Sequence, residues 1–156
     1  MSDTIVTDAR FNAAQTELVA FVAGAIIPQD IQRGMPAANS PAILHDILCS
    51  ASEVELPAFC VHVETQTQTL FGCSFQHAAA EQRSALMDHL AGSNHVVTRG
   101  FVSLVVQCYF RDVEVLTALG LEARAPFPKG HTVSAGDWDL LENVKRRAPF
   151  YRRPDV

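Results

Sequence analysis

Apolar residues recur at spacings of three and four along most of this chain, so amphipathic helices are the elements its pattern predicts. Leu18, Phe21, Val22, Ala25 and Ile26 form one apolar face. Asn12 is placed to cap the start of that helix, Gln15 completes a variant capping box, and Pro28 stops it. Residues 28–40 hold Pro28, Gly34, Pro36, Asn39 and Ser40, the composition of a loop. Ser40 and Pro41 then read as N-cap and first helical residue of a helix with Ile43, Leu44, Ile47 and Leu48 inward. Glu81 to Leu90 predicts another helix, with Leu86 and Leu90 inward and Gly92 as its stop. His95 to Phe110 is the strongest apolar segment. Val97, Phe101, Leu104, Val105 and Cys108 line one side, and Val102, Val106 and Phe110 cover part of the other, which predicts a central helix buried nearly all round. Asp112 can cap a short helix carrying Val113, Leu116 and Leu119, ended by Gly120.

The stretch 54–73 carries two patterns. Val61, Val63 and the Thr–Gln alternation from Glu64 to Thr69 have the period of a strand, whereas Leu56, Phe59, Cys60 and Val63 have that of a helix. The helix is preferred, because nothing else in the chain offers a clear strand partner and a lone strand leaves its backbone groups unsatisfied. After Gly120 the texture changes. Residues 121–156 hold Pro126, Pro128, Pro149, Pro154 and the single Trp138, with Asp137 placed to cap a short turn bearing Trp138, Leu140, Leu141 and Val144. The fold predicted is all-α, a compact bundle of about five helices in residues 1–120, with an extended, Pro-containing C-terminal arm in 121–156. That arm wraps either its own domain or a partner, and the partner is preferred.

Composition adjusts this picture modestly. The 156 residues suit one domain with a real core, and 48% of them are hydrophobic against 19% charged. So few charges suggest that some surface is covered by a partner, although a well-filled core explains the same numbers. Residues 1–78 carry eight acids and two bases, residues 79–156 nine acids and ten bases, for a net charge of −5. Lys145, Arg146, Arg147, Arg152 and Arg153 bunch at the end, but an acidic chain is a poor polyanion binder, so a solvated or partner-facing tail is expected and nucleic acid is not. The first 30 residues contain neither a basic n-region nor a twin arginine, and no run of apolar residues is long enough to span a membrane. A cytoplasmic chain with no membrane insertion is the expectation, with Cys49, Cys60, Cys73 and Cys108 reduced.

Candidate chemistry is sparse. His45, His62, His77, His89, His95 and His131 form no HxxxH, HExxH or zinc-finger spacing, and His45 and Asp46 are adjacent on a helix and cannot face one site. Cys60 and His62 would share a face only on a strand, so a thiolate dyad is disfavoured. Neither GxGxxG nor GxxxxGK[ST] occurs, so no flavin or nicotinamide site of that type is expected, and Asp137 and Asp139 read more plainly as caps than as an acid–base pair. Exposed Arg, Lys, Asn and Gln are too few on the predicted helices for a recognition helix.

The order of elements carries a resemblance. Leu18 through Pro28 is similar to the opening helix of the gluconate 2-dehydrogenase subunit 3 family, which ends in a like I-I-P. Phe75 followed by Glu81, Arg83, Leu86 and Leu90 resembles its middle helix. Phe101 to Phe110, Arg111-Asp112-Val113 and Leu119-Gly120 resemble its F-x-x-L-x-x-x-x-Y-F…V…L-G segment. Together these cover most of residues 12–120, and Pro126-Phe127-Pro128-x-Gly130 through Trp138 to Tyr151-Arg152 resembles a sub-branch of soluble members. The resemblance implies a non-catalytic small subunit that stabilises or chaperones a large FAD-dependent oxidoreductase of glucose-methanol-choline type, acting on sugars, sugar acids or glycosides. FAD and the catalytic residues would lie in that large partner, and no catalytic, cofactor-binding or metal residue is expected here. Family members often begin with a twin-arginine signal; without it, stabilisation is the role implied rather than export. The residues expected to grip the partner are Phe127, Trp138, Leu141, Arg147, Phe150, Tyr151 and Arg152. The alternative is a free-standing helical adaptor or regulator with a different partner.

Overall fold

The computed structural model describes residues 10–123 and 135–148. The chain divides into two compact units, Met1–Arg124 and Ala125–Val156. Among its described residues the first holds six helices: α1 (Ala13–Ile26), α2 (Pro41–Ser50), α3 (Glu55–Phe71), α4 (Ala80–Ser93), α5 (Val96–Tyr109) and α6 (Val113–Ala118), with a 3₁₀ turn at Phe75–His77. Among the described residues of the second unit, a 3₁₀ turn at Trp138–Leu141 runs into the single turn α7 (Glu142–Lys145). The fold is all-α, with slightly more helices than expected because α6 and α7 are short separate pieces.

The helix ends follow local chemistry. Asn12 Oδ1 accepts the Gln15 N–H at 2.8 Å while Gln15 Oε1 accepts the Asn12 N–H at 3.0 Å, the reciprocal capping box that the spacing predicts. Asp112 Oδ1 accepts the N–H groups of Glu114 and Val115. Gly120 adopts φ +71°, and the Leu121 N–H returns to the Leu116 carbonyl at 2.9 Å, closing α6 with a Schellman-type stop. Ser40 is the N-cap of α2, though its side chain makes no capping bond, and Pro41, with its preset φ, is the first helical residue, as the sequence predicts. One expectation needs correction. Gly92 does not stop α4; the helix runs one residue further, and Asn94 ends it in the left-handed region at φ 48°, a conformation Asn tolerates.

The Thr–Gln stretch is helical within α3. Thr65, Thr67 and Thr69 each donate a hydroxyl to the carbonyl four residues back, at 2.7–2.8 Å. Those bonds satisfy the hydroxyls without a strand partner, and they let the buried Thr67 sit in the core.

α5 packs on α3, α2 and α1, and α3 also meets α1 and α4. At the centre the rings of Phe59 and Phe101 stack at 3.9 Å with an interplanar angle of 10°. Leu18, Val19 and Val22 of α1, Ile43, Ile47 and Leu48 of α2, and Val105 and Cys108 of α5 close around that pair. The expectation that α5 is buried nearly all round is overturned. Phe101, Val105, Cys108 and Tyr109 are buried, but Val96, Val106 and Phe110 are exposed, because all three neighbouring helices pack on one side. α1 likewise buries Leu18, Val19, Val22 and Ala23, while Phe21 is half-buried and Ala25 exposed, a small rotation of the predicted face.

Three polar fastenings join distant segments. Tyr109 Oη donates to the Pro36 carbonyl at 2.9 Å, holding the 28–40 loop to α5. Arg83 lies over the Phe75 ring at 4.6 Å, donates to the Gln76 and Ala78 carbonyls, and comes within 3.7 Å of Glu17 on α1. Arg111, just beyond α5, makes a two-pronged pair with Asp46 on α2 and also donates to Ser50. Because the Phe59 ring is sealed between helices, Phe59→Ala is expected to cost about 3–5 kcal/mol of unfolding free energy, read from urea denaturation followed by circular dichroism.

Candidate functional site

An open apolar groove of about 260 Å³ lies where the start of α3 meets the first half of α5. Leu56, Phe59, Val97, Phe101 and Leu104 form its walls, and Val54 (77% exposed) and Val96 (68% exposed) stand at its rim. The local sequence explains both rims. The residue at position 54 precedes the helix, where Ser52 Oγ instead receives the Glu55 N–H at 2.9 Å, leaving the Val54 side chain free of capping duty. Val96 is the first residue of α5, just after the cap residue His95. Gly100 also lines the groove, and a Cβ built there would meet no atom within 4 Å.

Beside this groove, three histidines come together from three elements. His62 of α3 and His95, the N-cap of α5, stack their rings at 4.1 Å and 11°. His89 of α4 hydrogen-bonds Gln66 Oε1 through Nε2 at 3.0 Å. His95 Nδ1 accepts the Val97 N–H at 3.3 Å. His62 Nε2 is buried without a hydrogen-bond partner. Burial, then the fields of His95 and His89, push the His62 pKa below its ordinary value.

The Cys60–His62 pair does not make a nucleophile. Cys60 is buried on α3, and burial together with the Glu64 charge pushes its thiol up to about 11, the opposite of thiolate activation. Cys108 is also buried, and its thiol is also raised, by burial first and by Asp46 next. The Asp46 carboxyl is held below its usual range by the Arg111 guanidinium, so it serves an ion pair rather than proton transfer. On the outer face of α2, Cys49 Sγ lies 3.5 Å from His45 Nε2, and both side chains are exposed. Among the described residues, no three His, Cys, Asp or Glu side chains converge on a metal-sized site, and no helix is long and apolar enough to cross a membrane.

Of the residues expected to grip a partner, Trp138, Leu141 and Arg147 are exposed in the second unit, with Trp138 at 71%. Leu140 and Val144 are exposed beside them. Asp137 Oδ1 accepts the Asp139 N–H at 3.1 Å and so caps the turn that carries Trp138. Phe127, Phe150, Tyr151 and Arg152 lie outside the described residues. Sequence reasoning missed the groove and the His62–His89–His95 cluster. Their residues lie on separate helices, and only the helix packing brings them together. The chain matches no family model, no curated protein and no solved structure.

The lowered His62 pKa sets a direction for stability. The unfolded chain protonates this ring near 6.5, the folded chain only at lower pH. The folded state is therefore favoured fully above 6.5 and loses stability as pH falls through the interval below it. Urea midpoints measured from pH 6.5 down to about 5 are expected to decline, and His62→Leu should flatten part of that slope.

Proposed function

We propose that this chain is a non-catalytic small subunit that stabilises a large FAD-dependent oxidoreductase of glucose-methanol-choline type, acting on sugars, sugar acids or glycosides. The observation that carries the reading is the surface of the described C-terminal stretch, where Trp138, Leu140, Leu141 and Val144 are all exposed within seven residues. Isolated exposed apolar residues are ordinary, but large ones this dense mark a surface for another protein. The family is supplied by the resemblance of residues 12–120, which rests on the order of its motifs rather than on any one of them. The flavin and the chemistry then belong to the large subunit, and the small one acts by covering and ordering its surface.

A free-standing adaptor is the second reading, and the apolar groove between α3 and α5 favours it, because a groove of that kind suits a helix or extended segment of any partner. The two readings separate on what the chain holds in its native source. Affinity purification of the tagged chain is expected to bring down one large chain with stoichiometric FAD. A complex that carries no flavin, or a yellow chromophore on the isolated small chain, would overturn the subunit reading. Trp138→Ala is expected to weaken that complex by at least about 2 kcal/mol, roughly thirtyfold in Kd, with helicity unchanged.

A further inference from the structure

Two ring stacks join α3 to the start of α5: Phe59 on Phe101 and, one turn further along α3, His62 on His95. Going forward from Phe59 to His62 means going back from Phe101 to His95, so the two helices run antiparallel along this seam. The apolar groove has one wall on each of them, with Leu56 and Phe59 on α3 and Val97 and Leu104 on α5. The imidazole stack therefore ties the two walls together where α5 begins. We propose that this stack is an acid-sensitive latch: protonation of His62 releases the start of α5 from α3 and widens the groove between them.

The phenyl stack is indifferent to pH, and the imidazole stack is not. A protonated His62 carries an N–H on each ring nitrogen, and the one on the buried Nε2 finds no acceptor. No carboxylate stands by to supply one. The titratable groups that act on His62 are His95, at the start of α5, and His89, on α4, and both are imidazoles. On α3 itself, Glu64 lies two residues along, on another face, and accepts the Phe75 N–H. Glu17 of α1 pairs with Arg83, and His77 of the 3₁₀ turn is bonded to Ser74. Asp88, next to His89 in the chain, points off another side of α4, and Arg99, one turn beyond His95, is a cation. Burial and the two neighbouring imidazoles keep His62 neutral at neutral pH, so the latch opens only below 6.5. The way out is short. His95 is exposed and covers the His62 ring, so moving it aside admits water. Its Nδ1 also accepts the Val97 N–H, so the same movement uncaps α5 and loosens Val96 and Val97. α4 leans on α3 rather than on α5 and does not brace the corner. The Phe59–Phe101 stack holds the rest of α5 and acts as the hinge.

The width of the groove can be read directly, because Val54 and Val96 stand exposed on its two rims. The full chain carries Val54→Cys and Val96→Cys for nitroxide labels, with Cys49→Ser and Cys73→Ser; Cys60 and Cys108 are buried and stay unlabelled. The separation of the labels is measured by electron paramagnetic resonance from about pH 7.5 to about 5, with circular dichroism at each step. The His62 ring protons are followed by NMR over the same range. The expected result is a widening of several ångströms with the midpoint of the His62 titration and with helicity unchanged. His62→Leu should remove the widening. His95→Asn keeps a capping side chain but no stacked ring, and should widen the groove already at neutral pH. A separation that stays constant while His62 protonates would overturn the proposal. So would widening that persists in His62→Leu, widening that accompanies loss of helicity, or a closed groove in His95→Asn.

Discussion

The first unit depends on one contact, the stack of Phe59 on Phe101 that binds α3 to α5. Those two helices are the hub. α5 reaches α1 and α2 as well, and α3 reaches α1 and α4. A pair of flat rings in van der Waals contact sets the spacing of the two axes and leaves little freedom in register. Once it is set, the buried faces of α1 and α2 have only one side of α5 to cover. Val96, Val106 and Phe110 then fall on the side that nothing covers. The apolar groove belongs to the same arrangement: both rings of the stack contribute to its walls.

Periodicity made most helices legible, because each is encoded by residues within a turn or two of one another. Asn12 with Gln15, Asp112, and Gly120 are local signals, and the structure uses each where it was read. The misjudged points have physical reasons of two kinds. Gly92 and Asn94 compete to end α4, and the winner is set by where Ser93 and His95 must go to start α5, not by glycine's greater freedom alone. The burial of α5 was overread because hydrophobicity on several faces says that a helix can be buried, not that the chain has enough helices to surround it.

The long-range fastenings were not legible at all. Asp46 and Arg111 are 65 residues apart in the chain, and no local pattern connects them. Arg83 gathers an aromatic ring, two carbonyls and Glu17 from three segments, while in the sequence it is one base in an ordinary polar stretch. The Thr–Gln segment is an intermediate case. Its period-two pattern belongs to a strand, but a threonine hydroxyl can bond either across a sheet or back along its own helix. With the flanking Leu56, Phe59 and Val63 already committed to one face of a helix, the second option satisfies the hydroxyls and the core together.

The low charge and high apolar content of the chain can now be apportioned. A core of Phe, Leu, Ile and Val accounts for a large part of it, as the plainer reading of the composition held. A second part lies outside the core, and its distribution matters more than its amount. Val54 and Val96 are not scattered: they flank one groove whose floor is already apolar. Trp138, Leu140, Leu141 and Val144 are likewise concentrated in two consecutive turns. Large apolar side chains grouped in this way expose area that water covers at a cost. Trp138 has most of its ring area still to bury, so it contributes the largest single share of that exposed apolar area in the C-terminal stretch.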